Sequence, residues 1–150
     1  MKTKLRAAEL RAWQALLHTH HDVTRRLDRE LRRDHGLTFE TYDVLLRLAR
    51  SPGGSLRMTE LAARVMAPPS TLTRRVDRLV ALGLVERERT AGDSRTVLAR
   101  LTDPGRRLLV RAALTHLRGI REHFTGKLDD RQLEDLASAL EMISGPHEPH

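Results

Sequence analysis

The 150-residue chain has no cysteine, which excludes disulfide bonds, thiolate zinc ligands, a cysteine nucleophile and thiol-based redox switching, peroxide sensing included. No apolar run approaches the ~20 residues that a membrane span needs. The charged start, Met1-Lys2-Thr3-Lys4-Leu5-Arg6, runs into Ala7 to Arg11 with charges among the apolar residues, so a signal-peptide core is missing as well. These absences predict a soluble, intracellular, cytoplasmic protein with no membrane partner. No P-loop, HExxH, dinucleotide fingerprint or nucleophile motif occurs, so neither an enzyme nor a cofactor-binding protein is expected. Lysine is scarce, standing only at 2, 4 and 127. Arginine, whose planar fork suits phosphates and guanine edges, carries the positive charge, although genome base composition can produce the same bias.

What is present bounds the chain from the other side. A hydrophobic content of 39% over this length supplies one core of ordinary size, and a single domain over 1–150, or one compact lobe plus a helical extension, is expected. Lys plus Arg number 27 against 20 Asp plus Glu, a formal net charge of +7. A polyanionic partner fits that balance, but charge alone does not choose between nucleic acid, anionic lipid and simple solubility.

Arg6 to Asp34 reads as one helix without Gly or Pro. Leu10, Trp13, Leu16, Leu17, His20, Val23, Leu27 and Leu31 recur at helical spacing, with Arg25, Arg26, Arg29, Arg32 and Arg33 mostly off that stripe. A helix of this length is expected to pack against more than its own neighbours. Gly36 supplies a left-handed stop. Thr38 is the expected N-cap of a second helix, with Thr41 lacking the carboxylate of a full capping box. Ser51-Pro52-Gly53-Gly54 ends that helix.

The stretch from Met58 to Thr102 holds the most specific pattern. Thr59 is the expected cap of a short helix from Glu60 to about Met66, and Ala67-Pro68-Pro69 turns the chain. Pro69, at a first helical position that needs no N–H, opens a helix to Leu82 with Gly83 as its stop. At 100° per residue Leu72, Val76 and Leu79 gather on a core side, with Ser70, Arg74, Asp77 and Ala81 opposite, flanked by Thr71, Thr73 and Arg78. The hydroxyl-rich start fits a surface where backbone approaches DNA closely, whereas a solvated face ordinarily mixes long charges. Asp77 has the spacing to hold Arg74 and Arg78. Leu84 to Arg89 and Thr96 to Leu101 pair as a hairpin around a polar loop from Thr90 to Arg95. At its tip the Asp93 carboxylate is expected to orient the Arg95 guanidinium for a minor groove, the alternative being an ordinary exposed ion pair. The order helix, turn, helix, hairpin is that of a winged helix-turn-helix. The predicted fold is therefore mainly α with a small β wing, the lobe covering about 38–102, with N- and C-terminal helices over about 6–34 and 103–144 outside it.

These residues resemble the MarR family of bacterial transcription regulators. The resemblance rests on Leu61-Ala62, on Ser70-Thr71-Leu72-Thr73-Arg74 with Val76-Asp77-Arg78-Leu79, and on Gly83-Leu84-Val85 with Arg87. It continues through Asp93-Ser94-Arg95, Val97 and Leu101-Thr102-Asp103-Pro104-Gly105. It implies an obligate homodimer, with the N- and C-terminal helices over about 6–34 and 103–144 as dimerisation helices, commonly a repressor relieved by a small organic ligand, that binds double-stranded DNA at an inverted-repeat operator. Carried across, Ser70, Thr71, Thr73 and Arg74 fall where the family reads the major groove, with Arg78 beside them, and Asp93 with Arg95 falls on the wing motif. Pro68 departs from the commoner Ser or Thr cap.

In the last third Thr102 is expected to cap a helix to about Phe124, with Leu108, Leu109, Ala112, His116, Leu117 and Ile120 as buried candidates. Gly126 closes it. Asp129 with Gln132 has capping-box spacing, and Leu133, Leu136, Ala137, Leu140 and Ile143 form a stripe ended by Gly145-Pro146 before His147 and His150. Trp13, His20, Tyr42 and His116 are candidates to line an effector pocket between the outer helices and the DNA lobe, or else to fill the core. His18, His20 and His21 form a run in which His18 with His21 or Asp22 has the spacing of two metal ligands, which do not close a site. The alternative to a DNA regulator is thus a metal-responsive or ligand-independent helical interaction protein that uses this region.

Overall fold

The computed structural model describes residues 4–145, so Pro146, His147 and His150 lie outside it. Among the described residues six α-helices and three strands follow one another: α1 (Ala7–His35), α2 (Phe39–Ala49), β1 (Ser55–Arg57), α3 (Met58–Arg64), α4 (Pro69–Ala81), β2 (Val85–Thr90), β3 (Asp93–Leu101), α5 (Asp103–His123) and α6 (Asp130–Ser144). The chain forms two compact units. Leu27–His116 make the lobe, and the segments up to Arg26 and from Leu117 make the flanking unit, so α1 and α5 each run from one into the other. This lobe takes in the last turns of α1 and the first two thirds of α5.

The lobe core is one cluster built from every element within it. Leu31 of α1, Leu45 and Leu48 of α2, Leu61 of α3, Leu72, Val76 and Leu79 of α4, Val85 of β2 and Ala112 of α5 are almost wholly inaccessible. Burying a leucine side chain contributes about 1.5–3 kcal/mol, so this cluster dominates the lobe's stability. The antiparallel sheet has the order β1-β3-β2, with Leu56 opposite Ala99 on one side of β3 and Arg87 opposite Ala99 on the other.

Several local expectations needed correction. Thr41 completes the capping box of α2 without a carboxylate. Its hydroxyl accepts from the Thr38 backbone N–H at 2.9 Å while Thr38 Oγ1 accepts from the Thr41 N–H at 3.0 Å. Thr59 does not cap α3; the helix starts at Met58 from Arg57, which has no side-chain cap bond. The reason is β1, a three-residue strand too short to show a period, whose pairing with β3 delivers the chain straight into the helix. The hairpin turn is also tighter than Thr90 to Arg95, because Asp93 already pairs with Thr90 after a register irregularity. Leu117 is exposed, and Thr115, bonded to His35 at 2.8 Å, is buried instead. The caps at Thr102 and Asp129 form as expected: Thr102 Oγ1 accepts from the Gly105 N–H at 3.1 Å, and Asp129 and Gln132 make a reciprocal box.

Asp28 fastens α1 to the start of α2. Burial acts to raise its pKa, but the Phe39 N–H at 2.9 Å and Arg32 at 2.6 Å outweigh this and hold it below the ordinary value. A carboxylate with a depressed folded pKa stabilises above the unfolded value near 4, and that contribution is lost as pH falls through the folded pKa. Asp28→Asn should therefore cost about 1–2 kcal/mol at pH 7. In thermal melts taken across pH, the gap between wild type and variant should close below about pH 4; a gap that is constant with pH would refute the assignment.

In the flanking unit the apolar stripes are largely uncovered within one chain. Leu10, Trp13, Leu16 and Leu17 of α1 and Met142 and Ile143 of α6 are exposed, and α6 buries no residue fully.

Candidate nucleic-acid interface

The site is assembled from the outer face of α4 and the β2–β3 hairpin. Pro69 takes the first helical position and Pro68 the cap, with no side-chain bond to the opening amides and no acid in the first turn. The positive end of the helix dipole is consequently left for an external anion. Leu72, Val76 and Leu79 anchor the inner face, which turns Ser70, Thr73, Arg74 and Arg78 outward; Thr71 is half-buried. The Thr73 hydroxyl donates back to the Pro69 carbonyl at 2.9 Å, so it retains its lone pairs for an outside donor.

Asp77 does not hold Arg74 or Arg78. Its Oδ1 lies 2.7 Å from Arg87 of β2, and the same guanidinium donates to the Thr73 carbonyl at 3.3 Å. Spacing along the helix named the wrong partners because the sheet brings a closer cation from outside it. Arg87 thereby ties the hairpin to the outer face of α4. The hairpin is itself braced by Arg100, which forms a bidentate pair with Glu88 at 2.8 and 2.9 Å.

At the tip, Asp93 likewise acts on different atoms from those expected. Its carboxylate accepts from the Thr96 hydroxyl at 2.7 Å and from the Arg95 backbone N–H at 3.0 Å, and these two bonds, the hydroxyl first, lower its pKa. Asp93 therefore shapes the backbone of the tip and leaves the exposed Arg95 guanidinium to project from it.

Between α4 and the hairpin lies a cleft of about 560 Å³. Of the DNA-contact candidates named from sequence, Thr73 and Arg95 line it, and Asp77, expected to hold Arg74 and Arg78, lines it too. Arg57, Thr59 and Arg87 line it as well; the sequence marked Thr59 only as a helix cap and Arg87 only within the family resemblance, and it gave no signal for Arg57, which lies on the three-residue strand. The effector candidates fall into two pairs. Trp13 and His20 line a cavity of about 980 Å³ in the flanking unit, with Val23, Phe124, Leu136 and Leu140 among its other walls. Tyr42 and His116 pack in the lobe as tilted rings with 4.7 Å between centroids, beside Phe39, and burial pushes the Tyr42 pKa up. His18, His20 and His21 are exposed on α1.

A two-helix unit whose second helix is anchored by its inner face and flanked by a β-hairpin is a winged helix-turn-helix, a class built to read duplex DNA. Comparison with known proteins narrows the class. Residues 35–96 match the family profile described as MarR family. The fold superposes on AbsC, a MarR family transcriptional regulator from Streptomyces coelicolor, with a TM-score of 0.88 and 31% identity over 95% of this chain and 96% of that one. Sco3205, a MarR family regulator from the same organism solved in complex with DNA, gives a TM-score of 0.88 and 34% identity, with 97% and 92% covered. The HTH-type transcriptional regulator TtmR of Methylorubrum extorquens (strain PA1) is 39% identical over 113 residues, which span 73% of this chain and 56% of TtmR. The chain belongs to the MarR family of transcription regulators, which are not enzymes. Among the described residues no helix is long and apolar enough to cross a membrane.

Proposed function

We propose that the protein is a cytoplasmic, homodimeric repressor that binds a pseudo-palindromic operator and is released by a small organic effector. The observation that carries the DNA reading is the outer face of α4, where an uncapped helix start, short hydroxyl side chains and Arg74 stand beside a projecting Arg95. Ser70, Thr71, Thr73 and Arg74 are assigned to the major groove, Arg78 to its edge, and Arg95, presented by Asp93, to the adjacent minor groove. The uncovered stripes of α1 and α6 support a second copy as their partner, since exposed aromatic and aliphatic surface of this extent marks an interaction face. Two-fold symmetry would place the recognition helices about one DNA turn apart.

The effector reading draws on the cavity beside Trp13 and His20. Trp13 is the only tryptophan, so its fluorescence reports on that cavity nearly free of background. Sedimentation is expected to give twice the 17.1 kDa chain mass, and selection from a randomised duplex pool an inverted repeat. A monomer that enriches no duplex would overturn the proposal. A screen of phenolic and anionic compounds in which none moves Trp13 emission or the melting midpoint would leave the repressor reading standing and remove the effector from it.

A further inference from the structure

Arg57, Arg87 and Arg95 converge on the cleft between α4 and the hairpin, where Thr59 and Thr73 add hydroxyls and Asp77 is the one acid. Three cations line it against one anion, and the Asp93 carboxylate at the hairpin tip lies near enough to feel the charge of Arg57. The three cations are not equivalent. Arg87 is spent on Asp77 at 2.7 Å and on the Thr73 carbonyl, whereas Arg57 and Arg95 are exposed and form no ion pair among the described residues. Without Arg87, the Asp77 carboxylate would stand open in the cleft and repel any anion there. The paired Arg87 thus neutralises it and holds the two walls together, and Arg57 and Arg95 carry the positive charge left in the lining. Arg57 is placed by backbone pairing, opposite Leu98 in the sheet, and so is fixed relative to the hairpin rather than carried on a loose loop.

We infer that this cleft seats one sugar-phosphate strand of the DNA duplex, with Arg57 as a phosphate ligand and the Asp77–Arg87 pair as the strut that keeps the cleft open to it. The inference rests on the DNA-binding reading above and deepens it. If α4 occupies a major groove and the hairpin the neighbouring minor groove, the strand that separates those grooves must pass between the two elements, and this cleft is the space between them. A phosphate asks only for positive charge and a donor, whereas base readout asks for a particular fork geometry.

The test is fluorescence anisotropy with two labelled duplexes, one of mixed sequence and one enriched by the wild type from a randomised pool, each titrated over a range of salt. Arg57→Gln should weaken both by a similar factor, roughly 3- to 10-fold near 0.1 M salt, and flatten the log-affinity against log-salt slope by about 0.9. Arg57→Lys should restore most of both quantities, and neither variant should shift the melting midpoint appreciably, since the side chain is exposed. An unchanged slope in Arg57→Gln, or a loss confined to the enriched duplex, would overturn the phosphate assignment while leaving the DNA reading intact. Failure of the wild type to bind either duplex would overturn that reading, and this inference with it.

Discussion

Gly105→Ala is expected to destabilise the lobe by about 2–4 kcal/mol, one of the largest effects available to a single methyl group. A Cβ at this position would lie 2.1 Å from the Leu84 carbonyl oxygen and 2.8 Å from Leu101 Cδ1. The carbonyl cannot simply move aside, because it accepts the Thr102 N–H at 3.1 Å, and the Leu84 N–H is itself tied to the Leu79 carbonyl at 2.9 Å. The first turn of α5 is thus docked directly on the backbone between α4 and β2, and Thr102 reinforces the same junction by donating from its hydroxyl to the Gly83 carbonyl at 2.7 Å. Gly83→Ala makes the control. It has φ +70° but nothing within 4 Å of the added carbon, so only the left-handed backbone is penalised, at about 1 kcal/mol. Urea titrations at one fixed protein concentration should separate the two. Equal losses would mean that the junction relaxes and the contact is not limiting.

Arg74→Ala and Arg95→Ala are expected to weaken binding of the enriched duplex by about 1–3 kcal/mol each, roughly 5- to 150-fold, without altering the melting midpoint. Their signatures should differ from that of Arg57. A major-groove arginine that forks onto a guanine edge carries sequence discrimination, so Arg74→Ala should cost the enriched duplex more than a mixed one. An arginine inserted in a minor groove responds to groove width, so Arg95→Ala should cost more on duplexes with A·T-rich flanks. If both variants bind with wild-type affinity and salt slope, the groove assignments are wrong. The closing of the Asp28 stability gap at low pH probes a separate part of the lobe and should be untouched by any of these changes.

Much of this arrangement was legible in the chain itself, for local reasons. The apolar spacing of Leu72, Val76 and Leu79 specified the inner face of α4 and, by exclusion, its outer one, because one helix can bury only one stripe. Pro69 marked the helix start and Gly83 its end through backbone constraints that need no partner. The capping box at Asp129 and Gln132 is equally local. A hairpin was visible from two short runs on either side of a polar loop, although its turn closed more tightly than composition implied.

What tertiary structure alone decided is which distant residues meet. Three residues of β1 carry no period, so the third strand, the start of α3 at Met58 and the placement of Arg57 emerge only when β3 offers an edge to pair with. Asp77 had two arginines within helical reach and bonded to neither, because the sheet presents Arg87 at 2.7 Å with a second acceptor in the Thr73 carbonyl. Asp93 was aimed by sequence at a guanidinium but spends its oxygens on a hydroxyl and a backbone N–H that the turn brings closer. Periodicity and caps are properties of a few consecutive residues and are written in the chain. The partner of a charged side chain depends on distances across the fold, and those exist only after the core has closed.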